Sequence, residues 1–223
     1  IYLTTAAGVT LSRAEAVTLT DTALAATALS TIDTATNGTV NATAVTALSG
    51  TAAEVYAVVT STEVTLSQSE TIEVTDTGTV NARHLLLADS ATSGLVTATA
   101  LSRISGAAED VLLVVTSNGV SLSLHEHITL TDATVSASTL NAIDGRTDGT
   151  IDALSVTRVT GAADTLVTVL TSSGVSLTGS ENLTVTDATV SAATLNTLDG
   201  LVTGVTGTVT ATAATLLTGA AAD

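Results

Sequence analysis

The sequence predicts a repeat solenoid of parallel β-strands and short helices, that is, a mixed β/α solenoid. The first observation behind this is an internal repeat of about 55 residues. The second is the composition: 45% of the residues are hydrophobic but only 1% are aromatic, and Pro, Cys, Met, Trp and Phe are absent. Thick cores draw much of their buried area from aromatic side chains. The core must therefore be thin, filled by Val, Leu, Ile and Ala, and extended by repetition.

The repeat is marked by the string Val-(Thr/Ser)-Leu, followed each time by a strand-like run that ends in Thr-Asp. The strings begin at Val9, Val64, Val120 and Val175, and the runs end at Asp21, Asp76, Asp132 and Asp187. These positions define one solenoid over residues 1–223, with units 9–63, 64–119, 120–174 and 175–223. The last unit continues in register into residues 1–8 of a next copy.

Each unit is predicted to begin with a strand and a helix. Leu183 and Val185 alternate with threonines, which is the period of a half-buried strand. The next segment has Ser191 as a helix N-cap, Leu195 and Leu198 at helical spacing, and Gly200 as the residue where the helix stops.

A second strand and a second helix complete the unit. The strand-like runs are 39–42, 95–98, 150–153 and 208–211, each closed by Ser-Gly or Thr-Gly. After Gly161, Leu166, Val169 and Leu170 follow the i, i+3, i+4 spacing of a helix, with Gly174 as its C-cap and Gly119 in the same role one unit earlier. One turn of the solenoid then takes roughly 27 residues. The alternative is an all-β parallel β-helix in which these helices are bends, because Thr and Val favour strands.

Three strings in these units resemble a known group of proteins. They are 195–200 (Leu-Asn-Thr-Leu-Asp-Gly), 161–164 (Gly-Ala-Ala-Asp) and 183–187 (Leu-Thr-Val-Thr-Asp). They resemble the Thr/Ala/Val-rich tandem repeats of giant secreted or cell-surface proteins of cyanobacteria and other Gram-negative bacteria. The resemblance implies an extracellular structural, adhesive or surface-layer role. It carries no calcium site, because the Gly-Gly-x-Gly-x-Asp nonapeptide is absent from the sequence.

Charge and composition exclude several classes of partner. The 21 acidic and 5 basic residues give a net charge of -16, the opposite of what binds phosphate backbones or anionic lipid. Nucleic acid and membrane surfaces are therefore not expected partners. The uncharged stretch 201–222 is long enough for a membrane span, but its Thr and Gly content argues against insertion.

Oxygen-bearing side chains at every fourth position form a weak calcium candidate. They are Asp144, Asp148 and Asp152 in one unit, and Asp33, Asn37 and Asn41 in another. Calcium takes oxygen ligands from such loops. However, Asp-Gly and Asn-Gly are also common turn dipeptides. We expect turn chemistry here and no cofactor, with calcium as the alternative.

Other polar motifs have ordinary interpretations. His125 and His127 lack a recurring third ligand and are expected in an exposed loop. Each Thr-Asp is expected to end its strand in an Asx-type turn, with a cation ladder as the alternative. The Thr-x-Thr strands, such as Thr184 and Thr186, resemble ice-binding ladders, but Glu73 interrupts the pattern. Sequons at Asn37, Asn41 and Asn182 depend on the compartment.

No catalytic constellation recurs, so we do not expect an enzyme. When the repeats are aligned, Asp223 falls on Glu54 and Ile1 falls on Tyr56, so a second copy placed after Asp223 would continue the repeat with about one residue missing. Neither end has a polar capping repeat. The sequence therefore predicts a secreted structural protein that stacks head to tail into a filament, sheath or surface layer, or belongs to a longer array. A calcium-stiffened adhesin stalk and an ice-binding protein are the alternatives.

Overall fold

The computed structural model describes residues 12–202 and 207–219, and it confirms an α/β fold with parallel strands. The chain divides into two compact units. Unit 1 contains residues 1–102 and 117–123, and unit 2 contains residues 103–116 and 124–223. No helix in the described residues is long and apolar enough to cross a membrane.

The described residues form seven helices and nineteen short strands. The helices are α1 (Ala26–Ala35), α2 (Ala52–Val59), α3 (Ala82–Ala91), α4 (Ala108–Thr116), α5 (Ala137–Asp144), α6 (Ala163–Thr171) and α7 (Ala192–Leu201). The strands are β1 (Val17–Thr18), β2 (Ala23–Ala25), β3 (Val40–Ala42), β4 (Ala47–Gly50), β5 (Val64–Leu66), β6 (Thr71–Val74), β7 (Thr79–Asn81), β8 (Val96–Thr97), β9 (Arg103–Gly106), β10 (Val120–Ser121), β11 (His127–Leu130), β12 (Thr134–Ser136), β13 (Ile151–Asp152), β14 (Arg158–Gly161), β15 (Val175–Ser176), β16 (Asn182–Val185), β17 (Thr189–Ser191), β18 (Val209–Thr210) and β19 (Leu216–Thr218). Because these helices are regular, the all-β alternative is wrong.

Unit 1 contains two parallel sheets. One has the order β1-β3-β5 and the other β2-β4-β6-β8-β10. In the second sheet Leu24 pairs with Leu48, Leu48 with Ile72, and Ile72 with Val96. Leu48, Ile72 and Val96 are fully buried, so this column of apolar side chains forms the core of the unit.

Unit 2 repeats this arrangement. Strands β9, β11, β13 and β15 pair in that order, as do β12, β14, β16 and β18, and β17 pairs with β19. Two columns of buried side chains face the core, Ile104-Ile128-Ile151 and Val135-Val159-Leu183. Helices α4 to α7 pack consecutively, α4 on α5, α5 on α6 and α6 on α7.

Most strands pair at an offset shorter than the predicted turn of roughly 27 residues, whereas Val190 of β17 lies opposite Leu217 of β19, which is 27 residues later. Leu24 lies opposite Leu48, and Val159 lies opposite Leu183. The Thr157 hydroxyl donates to a carbonyl at this same offset, 24 residues earlier in the chain. Two offsets of 24 residues are shorter than one sequence unit of about 55 residues. The residues left over in each unit form an additional strand; for example, β12 follows β11 before α5 begins. The predicted order of strand, helix, strand, helix is therefore too simple, because two or three strands precede each helix.

The predicted helices are confirmed in position. In α7 the Ser191 hydroxyl accepts a hydrogen bond from the Thr194 N–H, and Leu198 is fully buried. The helix ends at Leu201, one residue beyond Gly200. In α6, Leu166 and Val169 face the core as their spacing predicted, whereas Leu170 is only half-buried.

Gly119 and Gly174 are not the predicted C-caps. α4 and α6 end three residues earlier, and neither glycine has positive φ. A Cβ atom at Gly119 would overlap the Asp89 carboxylate, and one at Gly174 would overlap the Asp144 carboxylate. The two glycines leave room for carboxylates of α3 and α5, which an added Cβ atom would displace.

The space around two other glycines predicts that replacing them with alanine has opposite effects on stability. Gly149→Ala places a Cβ against the backbone carbonyl of Glu126, whereas at Gly200, inside α7, nothing lies within 4 Å. We expect Gly149→Ala to lower the free energy of unfolding by roughly 1–3 kcal/mol and Gly200→Ala to raise it by about 0.5 kcal/mol. Urea denaturation measures both, and equal effects would contradict the assignment.

Candidate functional site

The Thr-Asp motif connects distant parts of the chain rather than forming the predicted Asx turn. Asp132 Oδ2 accepts a hydrogen bond from the Ala108 N–H at 2.7 Å, and Asp187 Oδ2 accepts one from the Ala163 N–H at 2.6 Å. Asp76 bonds in the same way to the Ala52 N–H at 2.7 Å. Each bond spans 24 residues and ends on the first residue of a helix. The motif is therefore an N-cap supplied by a later strand.

The helices differ in how their N-termini are capped: α2 has a local capping box of Thr51 and Glu54 in addition to Asp76, and α1 begins after Ala25 without a side-chain cap. α3, α5 and α7 begin at the local caps Asn81, Ser136 and Ser191. α6 begins at Ala162, which has no side chain able to cap it. Because the first amides of a helix lack intrahelical partners, α6 depends on Asp187 for a hydrogen-bond acceptor.

A second set of Asp contacts lies at the helix C-termini. Asp33, Asp89 and Asp144 each accept a hydrogen bond from a serine hydroxyl 28 residues later, at 3.0, 2.8 and 2.7 Å. The serines are Ser61, Ser117 and Ser172. Two of the calcium candidates, Asp33 and Asp144, therefore have a structural role in this arrangement.

The remaining calcium candidates are engaged separately. Asp152 Oδ1 accepts from the Leu154 N–H, and Asn41 Oδ1 accepts from the N–H and the hydroxyl of Thr43, as turn chemistry predicts. Asn37 is exposed. The Asp148 side chain is 83% exposed and lies 3.4 Å from His125 Nδ1. Within residues 12–202 and 207–219, no group of three His, Cys, Asp or Glu side chains could hold a metal ion.

In the His125-Glu126-His127 loop the two histidines are at the surface, as predicted, but the glutamate between them is buried. The His125 side chain is 74% exposed, and His127 Nδ1 lies 2.9 Å from the Thr150 hydroxyl. Glu126 between them is 2% exposed. The histidines are therefore surface residues around a buried carboxylate.

Glu126 belongs to a recurring motif, Ser/Thr-x-x-Glu, which is not among the predicted sites. It occurs at 12–15, 67–70, 123–126 and 178–181, and its second residue has positive φ at Arg13, Gln68, Leu124 and Gly179. Glu70 and Glu181 are fully buried. Thr178 donates to Glu181 Oε1 through both its N–H and its hydroxyl at 2.6 Å. The recurrence of Ser/Thr three residues before each Glu is the signal that could have revealed it.

Glu70 and Glu126 also accept a hydrogen bond at the backbone carbonyl from a threonine of a later segment. The Thr92 hydroxyl donates to the Glu70 carbonyl and accepts from the Gly94 N–H, and Thr147 does the same between Glu126 and Gly149. Among the residues that the structure describes, one buried carboxylate oxygen of Glu70 and one of Glu181 have no hydrogen-bond partner. These loops therefore combine a buried carboxylate with polar contacts to a later segment of the chain.

Within the described part of the chain, the Thr-x-Thr strands form a continuous column of threonines in unit 2. Thr160, Thr184 and Thr210 are in register on β14, β16 and β18. In unit 1 the charged Glu73 lies between Ser49 and Thr97 in the corresponding register, as its sequence position predicted.

A shallow groove in unit 1 follows the outer face of the sheet that contains β2, β4, β6 and β8. Small side chains line it, among them Ala23, Ala47, Ser49 and Thr71, and Glu73 is its one ionisable side chain. A single carboxylate offers no acid–base pair for catalysis. The groove therefore gives no indication of a reaction.

Comparison with known proteins adds no relative. No family model matches the chain, no curated protein matches it, and no solved structure matches it. The resemblance to giant surface-protein repeats thus stays a prediction from the sequence.

The inter-strand caps predict a measurable loss of stability. We expect Asp187→Ala to lower the free energy of unfolding by about 1 kcal/mol, because α6 loses the acceptor at its first amide. Thermal denaturation measures this as a fall of about 2–4 °C in Tm for a chain of this size. Asp148→Ala, at a carboxylate that is 83% exposed, is the matched control and should leave Tm nearly unchanged.

Glu15 gives a pH-dependent prediction. Hydrogen bonds from the Ser12 hydroxyl and the Ser12 N–H hold the pKa of the Glu15 carboxyl below its ordinary value. A lowered pKa contributes stability above the ordinary value, and that contribution is lost as the pH falls through the folded-state pKa. Ser12→Ala should raise the pKa of Glu15 in an NMR titration. Ser30→Ala, away from this loop, should not change it.

Proposed function

We propose that this protein is a non-enzymatic structural solenoid that stacks head to tail into an extracellular filament, sheath or surface layer. The observation that carries the proposal is the pairing of parallel strands at a nearly constant offset, with buried apolar columns in both units. An array in which each layer covers the preceding one has no intrinsic length. It can be extended by any further layer that offers the same strands.

The exposed side chains of β19 support extension from unit 2. Leu216 and Leu217 are 56% and 60% exposed. Leu217 of β19 pairs with Val190 of β17, and Val159 of β14 pairs with Val135 of β12 in the same way. Val159 is fully buried, because β14 is also paired with a further strand, β16. A leucine at this position is expected to be covered by a following strand.

The extracellular location rests on the resemblance of the repeats. The acidic, Cys-free composition is compatible with it. The calcium-stiffened stalk is not favoured, because its proposed ligands make separate structural contacts.

Leu217→Arg tests the proposal. Burying a leucine contributes about 1.5–3 kcal/mol, so we expect Leu217→Arg to weaken self-association by roughly tenfold or more. Sedimentation velocity over a concentration series gives the affinity, and negative-stain electron microscopy shows the filaments. Leu154→Arg is the matched control, because Leu154 is 56% exposed in a loop outside the strands. A wild-type chain that stays monomeric at the highest concentrations would reject the proposal.

A further inference from the structure

A turn of three residues recurs between a helix and the next strand, with threonine or serine as its first residue and glycine as its last. In the described chain it occurs with threonine at 36–38, 92–94 and 147–149, and with serine at 117–119 and 172–174. In all of these turns the glycine N–H donates to the hydroxyl oxygen of the first residue, at 2.9 or 3.0 Å. The hydroxyl therefore holds the one hydrogen atom of the glycine nitrogen.

The hydroxyl is itself fixed by a more distant acceptor. The Thr36 hydroxyl donates to the Glu15 carbonyl at 2.6 Å. The Ser117 hydroxyl donates to Asp89 Oδ2 at 2.8 Å. Because a hydroxyl has a single hydrogen atom to donate, its oxygen faces the glycine nitrogen only as an acceptor.

Packing requires glycine at the third position of these turns. A Cβ atom at Gly38 would overlap the backbone carbonyl of Glu15. At Gly119 a Cβ atom would overlap the carboxylate of Asp89. The middle residue is exposed and differs between the turns, being Asn37, Ser93, Asn118, Asp148 or Ser173. Both Asn-Gly dipeptides of the sequence therefore fall in turns of this kind.

An asparagine followed by glycine can react with its own main chain. The glycine nitrogen reaches the asparagine side chain readily, because glycine has no side chain to obstruct the approach. At Asn37 the Gly38 nitrogen would form a bond to Cγ, and ammonia would leave with the amide proton of Gly38. Water then opens the resulting succinimide at one of its two carbonyls, which leaves aspartate or isoaspartate. The reaction consumes only water, and no oxidation or reduction takes place.

The folded turn opposes this reaction both before and after the ring forms. The glycine nitrogen must lose its proton before it attacks, and that proton is hydrogen-bonded to the hydroxyl of Thr36 or Ser117. The oxygen lone pair that faces the nitrogen disfavours the resulting anion. Isoaspartate also adds a methylene to the main chain, which would displace Gly38 from its position against the Glu15 carbonyl.

We propose that Asn37 and Asn118 are deamidation sites whose rates are set by the hydroxyls of Thr36 and Ser117. In the closed turn the hydrogen bond protects the asparagine, and conversion takes place when the turn opens or the chain unfolds. The two sites then record how often each turn opens. The inference concerns the single chain and does not depend on self-association.

Peptide mapping after prolonged incubation tests the protection. The wild-type chain is kept in mildly alkaline buffer, folded in one sample and unfolded by urea in another. Mass spectrometry quantifies deamidation of each asparagine, and enzymatic methylation quantifies isoaspartate. We expect conversion of Asn37 and Asn118 to be at least roughly tenfold slower in the folded chain, because it waits for local opening. Equal rates in the two samples would overturn the proposal.

Substitution of the first residue of the turn tests the hydroxyl itself. Thr36→Val removes the hydroxyl and keeps the branched shape, so we expect Asn37 to convert about threefold to tenfold faster, the change that loss of one net hydrogen bond produces. Thr36→Ser keeps a hydroxyl and should restore the wild-type rate. Ser117→Ala should accelerate Asn118 by a similar factor.

Two turns without asparagine provide matched controls. Thr92→Val removes the equivalent pair of hydrogen bonds beside Ser93, and Ser172→Ala removes it beside Ser173. Neither substitution should change the rates at Asn37 and Asn118.

Two results would contradict the role of the hydroxyls. The first is conversion of Asn37 at the wild-type rate in Thr36→Val and of Asn118 at the wild-type rate in Ser117→Ala. The second is equal acceleration of both asparagines by either substitution, because that indicates general unfolding rather than the loss of one contact. Faster conversion at the neighbouring asparagine alone supports the proposal.

Discussion

Backbone hydrogen bonding between parallel strands in register is the constraint on which the other features depend. Each strand must return after every step to the same position relative to its neighbour, in β2-β4-β6 as in β14-β16. Register determines which face of a strand is buried. The core column Leu48-Ile72-Val96 therefore forms only when every connection between successive strands has the correct length.

The polar side chains fix those connections. Asp132 and Asp187 join a strand to the helix of the preceding step, and Asp89 and Asp144 join a helix to the following loop. Because each of these carboxylates accepts a bond from a donor 24 or 28 residues away, a slip of register would leave several partly buried groups unpaired at once. An unpaired buried donor or acceptor costs about 1–3 kcal/mol. Register is thus enforced by polar contacts as well as by apolar burial, which matters in a core without aromatic side chains.

Sequence periodicity could predict the class of fold, because two-residue and 3.6-residue apolar spacing survive in Leu183-Val185 and in Leu166-Val169. Sequence periodicity could not predict the offset between paired strands. One sequence repeat contains two of these offsets and an additional segment, and that segment resembles any other short strand. The roles of Gly119 and Asp187 were also inaccessible, because both act on residues that are distant in the sequence. A local turn explains the same residue types equally well. Buried Glu70 was missed because carboxylates are rarely buried without a partner, although its recurrence marks it.

Free strand edges normally promote unwanted pairing, and many proteins block them with lysine, proline or bulges. This chain contains neither lysine nor proline. The described strand β19 instead carries the exposed side chains Leu216 and Leu217. Composition and structure thus agree that nothing in the side chains of β19 protects this strand against pairing.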